Sequence, residues 1–326
     1  MKSLTGQVLR ISIVAVTLSL TAMVFAQDYP NRDITFIVPY NPGGATDPMS
    51  RQFTTELEKI LPGNINVENK PGGSATIGSG IIVRAKPDGY TIGLGTNSSL
   101  VYQALVNTGL AYKTPDDYQP IVKLLEQPVI LSVRADAPWK TFEEFMAEVK
   151  RNPGKIRASN SGMGTIGDLV TRQMNKVAGV KIVPVPFSGG GGEAMVALLG
   201  GRVEAATGFS SGVVGQARAG KVRVLAAFKK GKYETFPEAT PAFEAGYDVT
   251  LSATYYVIAP KGLPKDVQDK LVAASLRVMR GEEFLKFAKA NGYLLDPEPM
   301  KPEAVREELF QQMKVFSDLL KAAAQK

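Results

Sequence analysis

The chain reads as an α/β protein with parallel strands, and three features of the sequence point there. Short apolar β-like runs alternate with longer runs of helical spacing. Strand after strand ends in a loop of Gly, Ser, Thr and Asn that leads into a helix. The chain has 326 residues, 44% of them hydrophobic and 21% charged. That is enough for two domains of roughly 100–200 residues each and excludes wholesale disorder.

The first block opens with Ile34–Val38 (ITFIV), an apolar run of buried-strand type. It breaks into Pro39–Asp47, after which Pro48–Ile60 has helical spacing; Asp47 before Pro48 reads as an N-cap followed by a first-turn proline. Next come a short strand over Asn66–Glu68, the loop Pro71–Ser74, a helix over Ala75–Ala85 and a strand over Tyr90–Leu94 that ends in Gly95–Ser99. The second block begins near Pro128–Val133. Thr141 caps a helix over Phe142–Lys150, with Glu144 completing a capping box. Strand, glycine loop and helix then recur: Ile156–Ser159, Gly162–Gly167, Asp168–Val177; and again Lys181–Phe187, Ser188–Gly192, Glu193–Leu199. Strands are expected at Val203–Thr207, Val222–Ala227 and Thr254–Ala259, and helices at Val267–Met279, Glu282–Ala290 and Pro302–Ala324.

Composition narrows the chemistry before any motif is read. Cysteine and histidine are both absent. That removes thiol nucleophiles, disulfides, cysteine or histidine zinc sites and every triad with an imidazole base. Met1–Ala26 has the form of a cleaved secretory signal peptide: Lys2 and Arg10 at the start, an apolar Ile11–Phe25, and small residues at Val24 and Ala26. Ile11–Ala26 is shorter than the roughly 20 residues that span a bilayer, and the lack of cysteine excludes a lipid anchor. The exported product is expected to be periplasmic and soluble. Its net charge falls from +7 to +5 on loss of the leader. The basic residues form no runs, which argues against nucleic acid and fits a general attraction for anions.

Three motif matches look catalytic and fail on context. Gly162–Gly167 is a formal G-x-G-x-x-G between strand and helix, but the next strand ends Val185-Pro186-Phe187-Ser188 without the acid that would bind a ribose. Gly215–Lys221 begins like a Walker loop, but Val222 replaces the required Ser or Thr and a strand follows. Gly208–Gly212 matches a nucleophile elbow around Ser210, yet no histidine exists to serve as its base. Ser210 is expected instead to offer its hydroxyl to a ligand. Asp47, Asp168 and Glu193 stand near helix starts, where an acid acts as a cap more often than as a catalyst. No loop of the Gly-Ser-Thr-Asn type carries a Lys or Arg, so an anion held there would be held by backbone dipoles and hydroxyls. That arrangement suits reversible capture; the alternative reading is a secreted hydrolase using Ser or carboxylates.

Several of these loops, in order, resemble one family. The run Ile37–Asp47 with Arg51 is similar to the first ligand loop of the tripartite tricarboxylate transporter receptors, the TctC-like or Bug periplasmic solute-binding proteins. Val67–Ser74, Lys86–Thr91, Ala158–Thr165, Phe187–Gly191 with Leu198–Val203, Gly220–Ala226 and Ala259–Pro264 resemble further family segments. The resemblance implies a two-domain Venus-flytrap, type II periplasmic-binding-protein fold with two interdomain crossovers. Domain 1 would combine residues 27–127 and 252–326, and domain 2 residues 128–251. It further implies a receptor, not an enzyme; no cofactor or metal is expected, and a monomer is expected because nothing in the sequence suggests an obligate interface. The receptor would deliver a small organic acid to membrane permease subunits, or to a sensor. Carried over by motif, the ligand residues would be Tyr40, Asn41, Gly43, Gly44, Ala45, Thr46 and Asp47 on one side. Ser159, Asn160, Gly164 and Thr165 would face them, with Thr96, Asn97, Ser98, Phe187, Ser188, Gly189, Gly190, Phe209 and Ser210 as further walls. Tyr40, Phe187 and Phe209 could sandwich an apolar or aromatic body.

Two departures bear on specificity. Many members continue from the Ser or Thr of the second-domain loop to a histidine, where this chain has Thr165-Ile166-Gly167-Asp168. The next loop commonly reads Tyr-Lys-Gly and is here Phe187-Ser188-Gly189. Both changes remove a cation near the cleft and one adds an acid, which disfavours a tricarboxylate and favours a monocarboxylate or a ligand with a neutral or aromatic far end.

Overall fold

The computed structural model describes residues 29–324; the expected leader Met1–Ala26 lies outside the described residues. Two lobes share one long strand. In the first lobe, β1 (Ile34–Val38) is followed by α1 (Thr46–Glu58), β2 (Ile65–Asn69), α2 (Thr76–Arg84), β3 (Thr91–Thr96) and the short α3 (Gln103–Val106). β1 pairs in parallel with β2 and β3. Parallel strands are covered on both faces, which is why ITFIV is a continuous apolar run rather than an alternating one.

β4 (Tyr118–Arg134) runs through both lobes. Its first part pairs antiparallel with β10 (Ser252–Pro260), from Tyr118 opposite Pro260 to Pro128 opposite Ser252. From Val129 onward its partners are β7 (Ala205–Phe209) and β8 (Val222–Ala227). Pro128 has no N–H to give to a ladder, and it sits where the strand changes partners. The second lobe adds α4 (Phe142–Arg151), β5 (Arg157–Asn160), α5 (Ile166–Ala178), β6 (Val183–Pro186), α6 (Gly191–Leu199), α7 (Ser210–Arg218) and the two-residue β9 (Thr240–Pro241). β5 pairs in parallel with β6 and β7. The chain then returns along β10, and α8 (Lys265–Met279), α9 (Glu282–Ala290) and α10 (Pro302–Ala324) complete the first lobe.

One apolar cluster runs through both lobes, from Phe36, Met49, Phe53 and Phe284 to Phe142, Phe145, Ile166 and Val170; a smaller one, with Ile130, Leu198, Val213 and Val224, lies within the second. Three local expectations need correction. Asp47 is not the cap of α1; the helix starts at Thr46 with Ala45 at the N-cap and no side-chain cap. Thr141 does accept from the Glu144 N–H at 3.2 Å, but Glu144 reaches back to the Lys140 N–H instead of closing a box on Thr141. β4 begins ten residues before the expected Pro128, because Gln119, Lys123, Glu126 and Gln127 break its apolar pattern. Lys123 is nevertheless buried, its Nζ within 3.1 Å of Glu308, 3.2 Å of Asp296 and 3.7 Å of Glu126.

Candidate functional site

Two adjoining cavities lie where the lobes meet, each with about 30 Å³ of room for the centre of a water-sized sphere. That is far below the roughly 300–1,000 Å³ of small-molecule sites, so a ligand fits there only if the lobes part further. The first is walled by Tyr40, Ala45, Thr46, Thr96 and Ser98 from the first lobe, with Ala253 and Tyr255 of β10. Ser161, Thr165, Gly191 and Phe209 face them from the second lobe. Ala45, Ser161, Gly191 and Phe209 also wall the second cavity, which continues to Ser159, Ala194 and Thr207. Among the described residues no Lys, Arg, Asp or Glu lines either one.

The polar character comes from hydroxyls and helix starts. α1 begins behind Ala45, α5 behind Thr165 and α6 behind Gly190, and none of the three has a side-chain cap. Each start reaches a cavity through Ala45 and Thr46, Thr165 or Gly191. A helix start carries N–H groups without intrahelical partners and about half a positive charge, so three of them favour a carboxylate without any cation; at α5 the Ile166 N–H already donates to Ser98 Oγ across the cleft at 3.1 Å. The hydroxyls of Tyr40, Thr46, Thr96, Ser98, Ser161, Thr165 and Tyr255 add polar atoms to the walls, of which Thr165 donates to Gly162 O at 2.8 Å, Ser161 to Thr165 Oγ1 at 3.2 Å and Tyr255 to Gln127 Oε1 at 3.4 Å. Burial pushes the Tyr40 phenol up to about 12, against the opposing hydrogen bond with Thr96. Burial also raises Tyr255 well above its ordinary value, reinforced by neighbouring tyrosines. Both phenols are therefore neutral donors at physiological pH.

The acids near the cleft are committed to the protein. Asp47 accepts from Asn69 Nδ2 at 2.9 Å and from Arg51 Nε at 3.1 Å. Asp168 accepts from the Gly164 N–H at 2.9 Å and from Arg172 Nε at 2.9 Å. Each arginine stands one turn after its acid and offsets its charge. The acid that replaces the family's histidine region therefore shapes the glycine loop and brings no free negative charge to the cavity. Glu193 accepts from the Gly189 N–H and, across the cleft, from Asn41 Nδ2 at 3.0 Å.

Of the residues expected to hold a ligand, Tyr40, Ala45, Thr46, Thr96, Ser98, Ser159, Thr165 and Phe209 wall the cavities. The rest are placed otherwise. Asn41 donates its backbone N–H to Gly189 O at 3.0 Å, and Gly44 faces Gly191 and Gly192 so closely that a Cβ would sit 3.4 Å from Gly192 N. These residues, with Gly190 against the Tyr40 ring, form contacts between the lobes. Asn41, Gly43 and Phe187 line an outer groove, so Phe187 does not complete an aromatic sandwich with Tyr40 and Phe209. Ser188 is exposed. Asn97 ties the end of β3 to β10 through Ser252 O and the Thr254 N–H, and Asn160 accepts from the Gly162 N–H.

Ser210 is the clearest correction. Its hydroxyl is fully buried, accepts from Gln127 Nε2 at 2.7 Å and from Tyr233 OH at 2.7 Å, and donates to Asn291 O at 2.8 Å. It joins the lobes on the side of β4 and lines neither cavity. Conversely, Tyr255, Ala253 and Gly191 were missed. Gly191 lies within the Ser188–Gly192 loop, one residue past the Gly190 at which the expected ligand set ended, whereas the tyrosine lies within an apolar strand that gave no local sign of a ligand.

Residues 49–318 match the family described as the tripartite tricarboxylate transporter family receptor. Protein BugT of Bordetella pertussis is 30% identical over 254 residues, 77% of this chain and 78% of its own length. The periplasmic binding protein BugD superposes with a TM-score of 0.83 at 28% identity, covering 91% of this chain and 99% of BugD. MatC of Rhodopseudomonas palustris, solved with bound malate, gives the same TM-score and identity over 89% of this chain and 99% of MatC. The fold is thus the two-lobed fold of periplasmic binding proteins, and these neighbours are receptors rather than enzymes. The chain belongs to the tripartite tricarboxylate transporter receptor family.

Proposed function

We propose that this receptor captures a small mono- or dicarboxylate between its lobes and delivers it to the permease subunits of a tripartite tricarboxylate transporter. The observation that carries the reading is a cleft cavity rich in hydroxyls, met by three helix starts whose N-cap residues give no side-chain cap, and free of charged side chains. Few charges have to be desolvated there, and the donors are held in place by the fold before the ligand arrives. MatC, solved with malate, supports the ligand class. A tricarboxylate is disfavoured, because nothing in the cavity would balance a third negative charge. Met1–Ala26 directs export and is removed, residues 27–127 and 252–326 form one domain, and residues 128–251 form the other. The receptor acts as a monomer.

The test is a melting-temperature screen of Gln27–Lys326 against mono-, di- and tricarboxylates, aromatic acids and acidic amino acids. A saturable rise for small mono- or dicarboxylates is expected, through preferential binding to the folded state. A rise with citrate alone would overturn the specificity assignment, and no rise with any acid would overturn the receptor reading.

A further inference from the structure

Opposite the Asn41 rim, the cleft is closed by a contact that no cavity residue makes. Ser74 Oγ donates to the carbonyl of Met163 at 2.7 Å, and Gln103 Nε2 donates to the same carbonyl at 3.0 Å. Ser74 and Gln103 belong to the first lobe and Met163 to the second. None of the three walls a cavity. The Met163 side chain is 64% exposed, so the contact uses its backbone and not its chemical identity.

Both sides are built for this approach. Gly162 and Gly164 flank the carbonyl in left-handed conformations, with φ of +133° and +72°. A Cβ on Gly162 would sit 2.9 Å from Ser74 Oγ, and one on Gly164 2.5 Å from the Tyr102 ring and 2.8 Å from Gln103 Nε2. On the facing lobe, Ser74 and Ala75 are the described non-glycine residues with positive φ, at 54° and 76°. Two successive side-chain-bearing residues in that region are unfavourable and persist where surrounding contacts over-determine them. The turn that carries them aims Ser74 at the opposite lobe.

We propose that Ser74 and Gln103 are positioning residues for ligand capture: together they clamp the Met163 carbonyl and set how long the closed receptor holds its ligand. The clamp fixes the loop that carries Ser161 and Thr165, so it acts on the ligand through that loop and through the population of the closed state. It rests on the receptor reading above. A contact made only on closing is absent while the ligand enters, so its loss should raise the dissociation rate and leave the association rate alone.

The chain has no cysteine, so Lys86→Cys in the first lobe and Lys155→Cys in the second can carry a donor–acceptor dye pair. Closing and reopening are followed by stopped-flow fluorescence with L-malate as the probe, and with the acids of the panel if malate gives no signal. Ser74→Ala and Gln103→Glu should each speed reopening about fivefold, and the double variant about twentyfold, as expected for one or two uncharged hydrogen bonds. Closing should stay within about twofold, and Met163→Ala, which keeps the carbonyl, should behave as wild type. Unchanged reopening in the double variant overturns the clamp, as does a loss confined to closing or an effect of Met163→Ala as large as that of Ser74→Ala. A fall in the ligand-free melting temperature with unchanged reopening would make both residues ordinary loop supports. If the wild-type chain closes with none of the acids, the receptor reading itself fails.

Discussion

Two aspartates show how local sequence decides a charge. Asp47 and Asp168 each stand in the first turn of a helix at the cleft, and each has an arginine four residues on. The pairing leaves the cavity with hydroxyls, phenols and helix starts as its chemistry. With no histidine in the chain and Tyr40 pushed up to about 12, nothing in the walls titrates between pH 6 and 9. Carboxylate affinity should therefore be flat across that range for an acid already ionised at pH 6, as isothermal titration would show. A slope there would place an unrecognised titrating group in the site. Above it the sign is fixed: the Tyr40 phenol binds its proton more tightly folded than unfolded, so stability declines as pH rises from about 10 towards about 12. Thr165→Ala, which deletes a cavity hydroxyl, should weaken binding about five- to tenfold, by roughly 1 kcal/mol. The residue types of the site were legible because Gly, Ser, Thr and Asn loops are local signals. What Ser210 does was not, since its partners Gln127, Tyr233 and Asn291 are far away in sequence.

At the scale of the element, β4 holds the most information. Its second half was legible as the apolar run Pro128–Val133; its first half was hidden by the polar residues Gln119, Lys123, Glu126 and Gln127, most of whose partners lie far along the chain. Lys123 meets Glu308 and Asp296, and Tyr256 donates to the other oxygen of Glu308 at 2.8 Å. Burial alone would lower the Lys123 pKa; attraction to Glu308, Asp296 and Glu126 outweighs it and raises the pKa. The raised value means that this contribution persists through the ordinary lysine range and is lost only as pH climbs through the higher folded-state pKa. Lys123→Ala should leave the carboxylates uncompensated and cost about 3 kcal/mol of stability, read from urea unfolding. A cost below about 1 kcal/mol would show that solvent already screens the cluster. Helix boundaries were read well where amphipathic spacing sets them, as in α9 and α10, and less well at α1, where Pro48 suggested a start two residues too late.

For the whole molecule, the two lobes meet on three sides of the cavity. Asn41 and Gly44 against Gly189–Gly192 form one rim, Ser74 and Gln103 against Met163 the other, and Ser210 with Gln127 and Asn291 the β4 side. Gly44→Leu inserts a branched side chain into the first rim while the interior of each lobe is untouched. Small-angle scattering should show that this variant stays expanded at saturating carboxylate where the wild-type chain contracts, with an unchanged ligand-free melting temperature. Contraction equal to wild type would remove Gly44 from the closing surface.

The α/β character, most of the order of the elements (α3 and α7 were not expected) and the glycine loops at the cleft could be read from the sequence, since each depends on periodicity and turn chemistry within a few residues. The absence of cysteine and histidine likewise bounded the chemistry without any coordinates. Tertiary structure alone decided which loop residues wall a cavity and which fasten one lobe to the other. Asn41 and Gly44 sit in the same run as Tyr40 and Thr46, and only the approach of the second lobe separates their roles. It also brought in Tyr255 from β10 and made Ser74 and Gln103 neighbours of one carbonyl. Such partnerships are pairings across long sequence separations, and a local pattern carries no record of them.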